Sequence, residues 1–172
     1  FFYRHVRHLA VGLVFGAVAS GFPLALLRKS VAVLMLVSLV LMVLTFVPGI
    51  GSEVQGAQRW IVVFGTSFQP SELTKFTLVL YLAYILDKKS ETIDDPVNAL
   101  LPPLIVVTIF TTLIYLQNDF STAFFVLVVS LFMFFVAGVP WRYFISLFVA
   151  VIPISLIMLF SREHRVKRIL SF

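Results

Sequence analysis

Glu72 and Lys75 stand three residues apart in FQPSELTKF, a spacing that puts both on one face of a helix. Ionisable groups at membrane depth are costly, so a pair so placed is a functional candidate by default. Such groups at membrane depth usually turn toward a cavity or a partner, so a working pair should face a polar hollow. The plainer reading is that Glu72 complements the positive start of the helix while Lys75 snorkels to the headgroups. Arg59, beside Trp60, is either a further functional candidate or half of an interfacial anchor pair. Asp119 lies in LQNDFSTAF; Asp is a preferred helix N-cap, and Ser121 and Thr122 follow at once, so a capping role competes with a chemical one. The final SREHRVKRILSF sets Arg162, His164, Arg165, Lys167 and Arg168 around Val166, Ile169 and Leu170. That pattern suits a short helix on a bilayer surface, drawn to anionic headgroups or to a phosphorylated lipid.

The elements that must position these residues are set by composition. Of 172 residues, 60% are hydrophobic and 12% charged, with a mean hydropathy of +1.07. A soluble domain carries about 45–50% apolar and about 25% charged residues, so this is a membrane protein. There is no cysteine, which excludes disulfides and thiolate metal sites. The three histidines, at 5, 8 and 164, have no ligand-spaced partners beyond the adjacent Glu163, and no metal site is expected. The basic residues flank apolar runs instead of decorating a folded reading domain, so the net charge of +5 does not point to nucleic acid. The chain opens on Phe1 and stops after a basic run, and it is expected to be a piece of a longer polypeptide.

A spanning helix needs about 20 mostly apolar residues. Windows at about 9–27, 31–50, 97–117, 120–140 and 143–161 meet that need. A sixth, 70–87, does so only if the helix opens at Pro70, a natural first helical residue, with Glu72 and Lys75 in its first two turns. The expectation is an all-α bundle of six transmembrane helices in one domain, with a polar connector at 51–69 and a basic interfacial segment at 162–172. Six crossings leave both termini on one side. Counting Lys and Arg gives eight on that side (4, 7, 59, 75, 162, 165, 167 and 168) and five opposite (28, 29, 88, 89 and 142), which weakly favours cytoplasmic termini.

Four stretches carry a resemblance: VPGIGSEVQGAQRWI, FQPSELTKF, QNDFSTAFFVLVVSLFMFFVAGV and HRVKRILSF. Together they resemble the SEDS family (shape, elongation, division and sporulation) of polytopic membrane proteins. The likeness covers nearly the whole chain, about spans two to seven of the family's ten. The QPSE-x-x-K signature after a GA-x-RW loop is highly specific, and VPGIGS and PSELTK sit closer to the cell-division branch than to the elongation branch.

The resemblance implies a peptidoglycan glycosyltransferase of the bacterial cytoplasmic membrane that polymerises lipid II on its outer face. It would work beside a class B penicillin-binding protein and other division or elongation proteins. The family's topology puts the termini and the 51–69 connector outside, against the charge count, and is followed here. By the resemblance Arg59, Glu72, Lys75 and Asp119, with Arg165 and Arg168, are substrate-binding residues. This chain has Asn118, Phe120 and Ser121 where the family's QPDLGTA turn has Pro, Leu and Gly, so a differently shaped turn is expected. The family's general-base Asp follows its R-x-x-R-I-x-x-F segment and is expected beyond Phe172. No cofactor is readable; a divalent-cation requirement stays open. Two other classes fit intramembrane charge and the prolines at 23, 102, 103 and 153: a flippase or transporter of lipid-linked precursors, and a non-catalytic division scaffold.

Overall fold

The computed structural model describes residues 2–54, 56–63, 66–93, 95–146, 149 and 152–153. Five α-helices carry the fold: α1 Phe2–Ser20, α2 Leu24–Leu44, α3 Pro70–Lys88, α4 Leu101–Leu116 and α5 Phe120–Val136. The break between α1 and α2 falls at Gly21–Pro23, inside the window expected as 9–27. Pro23 lacks the N–H that a continuing helix would use, and its ψ of 129° is extended. α3 opens on Pro70 after an extended Gln69, with Glu72 in the first turn and Lys88 in the last. Both charges complement the helix dipole. A 3₁₀ turn, Ser90–Thr92, and a π-helical turn, Pro96–Leu100, join α3 to α4. Most of the window at 143–161, and all of 162–172, lie outside the described residues.

The all-α expectation needs one correction. The connector after α2 folds into a three-stranded antiparallel sheet, β1 Gly51–Val54, β2 Ala57–Val63 and β3 Thr66–Phe68, in the order β1-β2-β3. In β2, Ala57 and Ile61 are buried while Gln58 and Val62 are exposed. The turn into β2 is made at Gly56, whose φ of +77° costs a glycine nothing. Ser52 pairs with Trp60 and Glu53 with Gln58, so Arg59 is the extra residue of a β-bulge with no partner on β1. Bulges re-aim side chains.

The core joins α2, α3, α4 and α5. Leu78, Leu82 and Leu86 form a stripe of α3, four residues apart, against Met42, Val107, Phe110, Ile114, Val126 and Phe134. On the face toward α2 the residues are small: Ser38 Oγ and Thr77 Oγ1 are 2.9 Å apart and fully buried. Small hydroxyl residues let two helices approach closely and hydrogen-bond where lipid offers no partner. The outer faces are as apolar as the interior. Leu36 and Val40 on α2, Ile105 and Ile109 on α4, and Phe124, Val128 and Phe132 on α5 are exposed, as are Leu13, Val14 and Val18 of α1. Buried polar groups inside and exposed apolar side chains outside fit a lipid solvent. Among the described residues, two helical segments, Leu24–Leu44 and Val97–Leu116, are long and apolar enough to cross a membrane; Phe120–Val136 is apolar but shorter.

Candidate functional site

The site is assembled at one corner, the turn between α4 and α5. Three consecutive polar residues there reach three different elements. Gln117, fully buried, donates from Nε2 to Thr45 Oγ1 at 2.8 Å and to the Met42 carbonyl at 3.3 Å, tying the end of α4 to the end of α2. Asn118 donates from Nδ2 to the Gly56 carbonyl at 3.2 Å, holding the β1–β2 turn. Asp119 makes three contacts with one carboxylate. Its Oδ1 accepts the Thr122 N–H at 3.3 Å and caps α5; its Oδ2 lies 3.2 Å from Arg59 Nη1 and accepts from Gln69 Nε2 at 3.2 Å. The capping reading and the chemical reading of Asp119 therefore both hold, one per oxygen.

The turn takes its shape from Asn118, whose φ is +62°. Asn tolerates this left-handed conformation, whereas proline is locked near −65°. The Asn118 turn is thus one that a QPD sequence cannot make. Gly51 fixes the other side of the corner: a Cβ there would stand 1.8 Å from the Thr45 carbonyl oxygen, so only glycine lets β1 pass the end of α2.

Asp119 is 3% exposed and Arg59 28%. The bulge brings Arg59 to a carboxylate sixty residues on. Gln69, which sequence reasoning left out, is the bridge: besides Asp119 its Nε2 donates to Ser71 Oγ at 2.9 Å, so the residue before α3 locks the same corner. Its signal was its place in the QPSE segment. Arg59 Nε and Trp60 Nε1 are buried with no hydrogen-bond partner among the described residues. A buried donor left unpaired is costly, so both N–H groups lack a bond that the interior would be expected to supply.

Glu72 and Lys75 form a separate pair, with Nζ 2.8 Å from Oε1. Lys75 Nζ also stands 5.5 Å from the centroid of the Phe125 ring, a cation–π contact that steers the ammonium toward α5. The expected polar hollow is not found among the described residues. Beside Lys75 lies a groove of about 20 Å³ between α3 and α5, lined by Leu78, Leu82, Phe125 and Val126, while Glu72 is 56% exposed and faces outward. The pair is held to the helix surface because α3 spends its buried stripe on leucines. Of the six residues expected to bind substrate, Arg59 and Asp119 touch, Glu72 and Lys75 touch, and Arg165 and Arg168 lie outside the described residues. No group of three or more His, Cys, Asp or Glu able to hold a metal ion occurs among the described residues.

The mostly helical bundle, its small sheet and its QPSE-x-x-K helix fit one class of protein, and a comparison with known families agrees. The model of the cell cycle protein family of FtsW, RodA and SpoVE matches residues 1–172, and the chain belongs to that family, the SEDS proteins. Within it, the chain is similar to FtsW. It is 31% identical over 170 residues to the probable peptidoglycan glycosyltransferase FtsW of Methylomonas methanica, covering 99% of this chain and 44% of that protein. The rod shape determining protein RodA of Thermus thermophilus superposes with a TM-score of 0.68 at 28% identity, covering 87% of this chain and 49% of that one. A chain of a peptidoglycan synthase complex that coordinates polymerization and crosslinking superposes with a TM-score of 0.70 at 26% identity, covering 98% and 49%. The chain thus spans about half the length of the relatives it matches.

Proposed function

We propose that this chain is part of a peptidoglycan glycosyltransferase that polymerises lipid II. In this reading it is a multi-pass protein of the bacterial cytoplasmic membrane, with six of about ten helices in these residues and the sheet on the outer side. A class B penicillin-binding protein crosslinks the strands it makes. Family membership and the relatives' names support the activity, and the likeness to a chain of a synthase complex supports the partnership. The observation that carries the reading is the corner itself: Arg59 and Lys75, each held by a carboxylate, stand at the same end of α3 as two unpaired buried N–H donors.

In the reaction, a sugar hydroxyl of the acceptor attacks the anomeric carbon of a lipid-pyrophosphate donor. The carbon–oxygen bond to pyrophosphate breaks, the pyrophosphate leaves with the electron pair, and configuration inverts. The hydroxyl proton goes to a general base, assigned by the family resemblance to an Asp after the R-x-x-R-I-x-x-F segment. Lys75 and Arg59 stabilise the charge on the departing pyrophosphate, with Arg165 and Arg168 as further cations. Two cations here face two carboxylates, so the corner is neutral until a ligand displaces one of them. Glu72, the exposed partner, is the one that gives way; Asp119 is buried and stays.

The test uses the full-length protein with its penicillin-binding partner in proteoliposomes given labelled lipid II. Lys75→Met should abolish polymer on a gel while the protein inserts in normal yield. Undiminished polymer would remove Lys75 from the mechanism, and label that crosses the bilayer without polymerising would favour a transporter.

A further inference from the structure

At the end of the bundle away from the sheet, a cavity of about 490 Å³ opens between α2, α3 and α4. Arg28 and Lys29 stand at its mouth with Tyr84, and Val31, Met35 and Val106 form its wall. A second groove, of about 270 Å³, shares Met35 and Val106 and continues past Leu39 and Phe110. The two make one trough with a basic, tyrosine-bearing mouth and an apolar run. Along α2 from Arg28 to Leu39 is 39 − 28 = 11 residues, about 17 Å at roughly 1.5 Å each. Half of a hydrocarbon core of about 30 Å is about 15 Å, so the trough has the depth of a single leaflet.

Its charge is open to a ligand. Arg28 Nη2 lies 3.1 Å from Asp87 Oδ2, but the two side chains are 64% and 62% exposed, so the pair is weak and can be shared. Lys29 is exposed and has no ion pair among the described residues. Tyrosine at this depth sits with its ring among acyl chains and its hydroxyl among headgroups.

We propose that this trough binds an anionic phospholipid of the leaflet opposite the sheet. Its phosphate sits between Lys29 and Arg28, and one acyl chain lies along Met35, Leu39, Val106 and Phe110. Basic pockets between membrane helices are suited to anionic headgroups. The charge at the mouth favours a lipid over a packed helix: a helix would cover the apolar run and leave Lys29 unanswered, whereas a phosphate meets it. The basic mouth is level with Asp87, at the other end of α3 from Lys75, so a headgroup held there belongs to a lipid of that end of the bundle and not to the donor.

The experiment is native mass spectrometry of the full-length protein released from nanodiscs of equal phosphatidylglycerol and phosphatidylcholine. The wild type should retain phosphatidylglycerol selectively. Lys29→Glu, on the exposed rim, should cut that retention roughly five- to tenfold, in line with losing and reversing one basic contact near the surface. Arg142→Glu carries the same charge change on the same side without lining the trough, and should leave retention unchanged. Val106→Trp should expel the lipid by filling the run. Equal retention of the two lipids by the wild type, or equal losses from Lys29→Glu and Arg142→Glu, would overturn the proposal; so would a folded Val106→Trp protein that keeps its lipid. Retained lipid is read without any polymer assay, so the result stands or falls independently of the proposed glycosyl transfer.

Discussion

Two ion pairs lie within one corner of this molecule, and burial separates them. Arg59–Asp119 joins a strand to the start of a helix, with a carboxylate 3% exposed that also caps α5 and accepts from Gln69. Glu72–Lys75 is an i, i+3 pair on the surface of α3, with a carboxylate 56% exposed. A buried pair is expensive to break, because the partner left behind is an uncompensated charge, whereas an exposed pair contributes little to stability. The first pair is therefore built to hold geometry and the second to remain available. The proposed transfer from a pyrophosphate would use both: a cation whose position does not drift, and a cation whose counter-charge can be displaced.

The comparison breaks first at Asp119. Asp119→Ala removes the partner of Arg59, an acceptor of Gln69 and the α5 cap together. Because Arg59 is partly exposed, the loss should fall toward the lower end of about 3–5 kcal/mol for a broken buried pair, with about 1 kcal/mol more for the cap. Unfolding of the full-length protein in detergent micelles measures it. Adding Arg59→Ala should recover part of the loss, and a single-mutant loss under about 1 kcal/mol would mean the pair behaves as an exposed one. Glu72→Gln sharpens the other arm. Its stability change should stay within about 0–1 kcal/mol, and its polymer yield should fall less than that of Lys75→Met, since the amide still holds the lysine by a hydrogen bond. A loss of stability matching Asp119→Ala would erase the distinction.

The smallest effect is far from the corner, in the turn that leads into α4. Asp95 Oδ2 accepts from Asn98 Nδ2 at 2.6 Å, and its Oδ1 accepts from the Asn98 and Val97 N–H groups at 3.2 Å and 3.0 Å. The side-chain bond from Asn98, then its backbone bond, hold the Asp95 carboxyl below the usual carboxylate range. A carboxyl depressed in the folded state stabilises above its unfolded value, and that contribution disappears as pH falls through the ordinary carboxylate range toward the lowered one. Amide exchange at Val97 and Asn98 should therefore quicken in acid relative to the rest of α4, and Asp95→Asn should remove that dependence. Unchanged exchange across that range would show the carboxyl is not what holds the turn.

How far these features could be read from the chain follows from how local they are. Pro70 marks the start of α3 because a missing N–H and a fixed φ are properties of one residue, and Glu72 and Lys75 meet because three residues is nearly one turn. The cap at Asp119 is local too. The sheet was missed: β1 and β3 are only four and three residues long, the alternation of β2 is interrupted by Arg59 in the bulge, and the surrounding apolar runs read as helix. Gln69 was missed because its partner lies fifty residues away and is reached only once α3 and α5 pack. The hollow expected beside Lys75 is missing among the described residues for a related reason. Spacing tells which residues share a helix face but not whether that face looks into the bundle, and here the inward stripe belongs to Leu78, Leu82 and Leu86.

Gln117, Asn118 and Asp119 each fasten a different part of the chain to a single bend. A tug on the strand that carries Arg59 cannot be absorbed by that strand alone; it is delivered to the hinge between two membrane helices. Whatever grips the arginine also takes hold of the helices behind it.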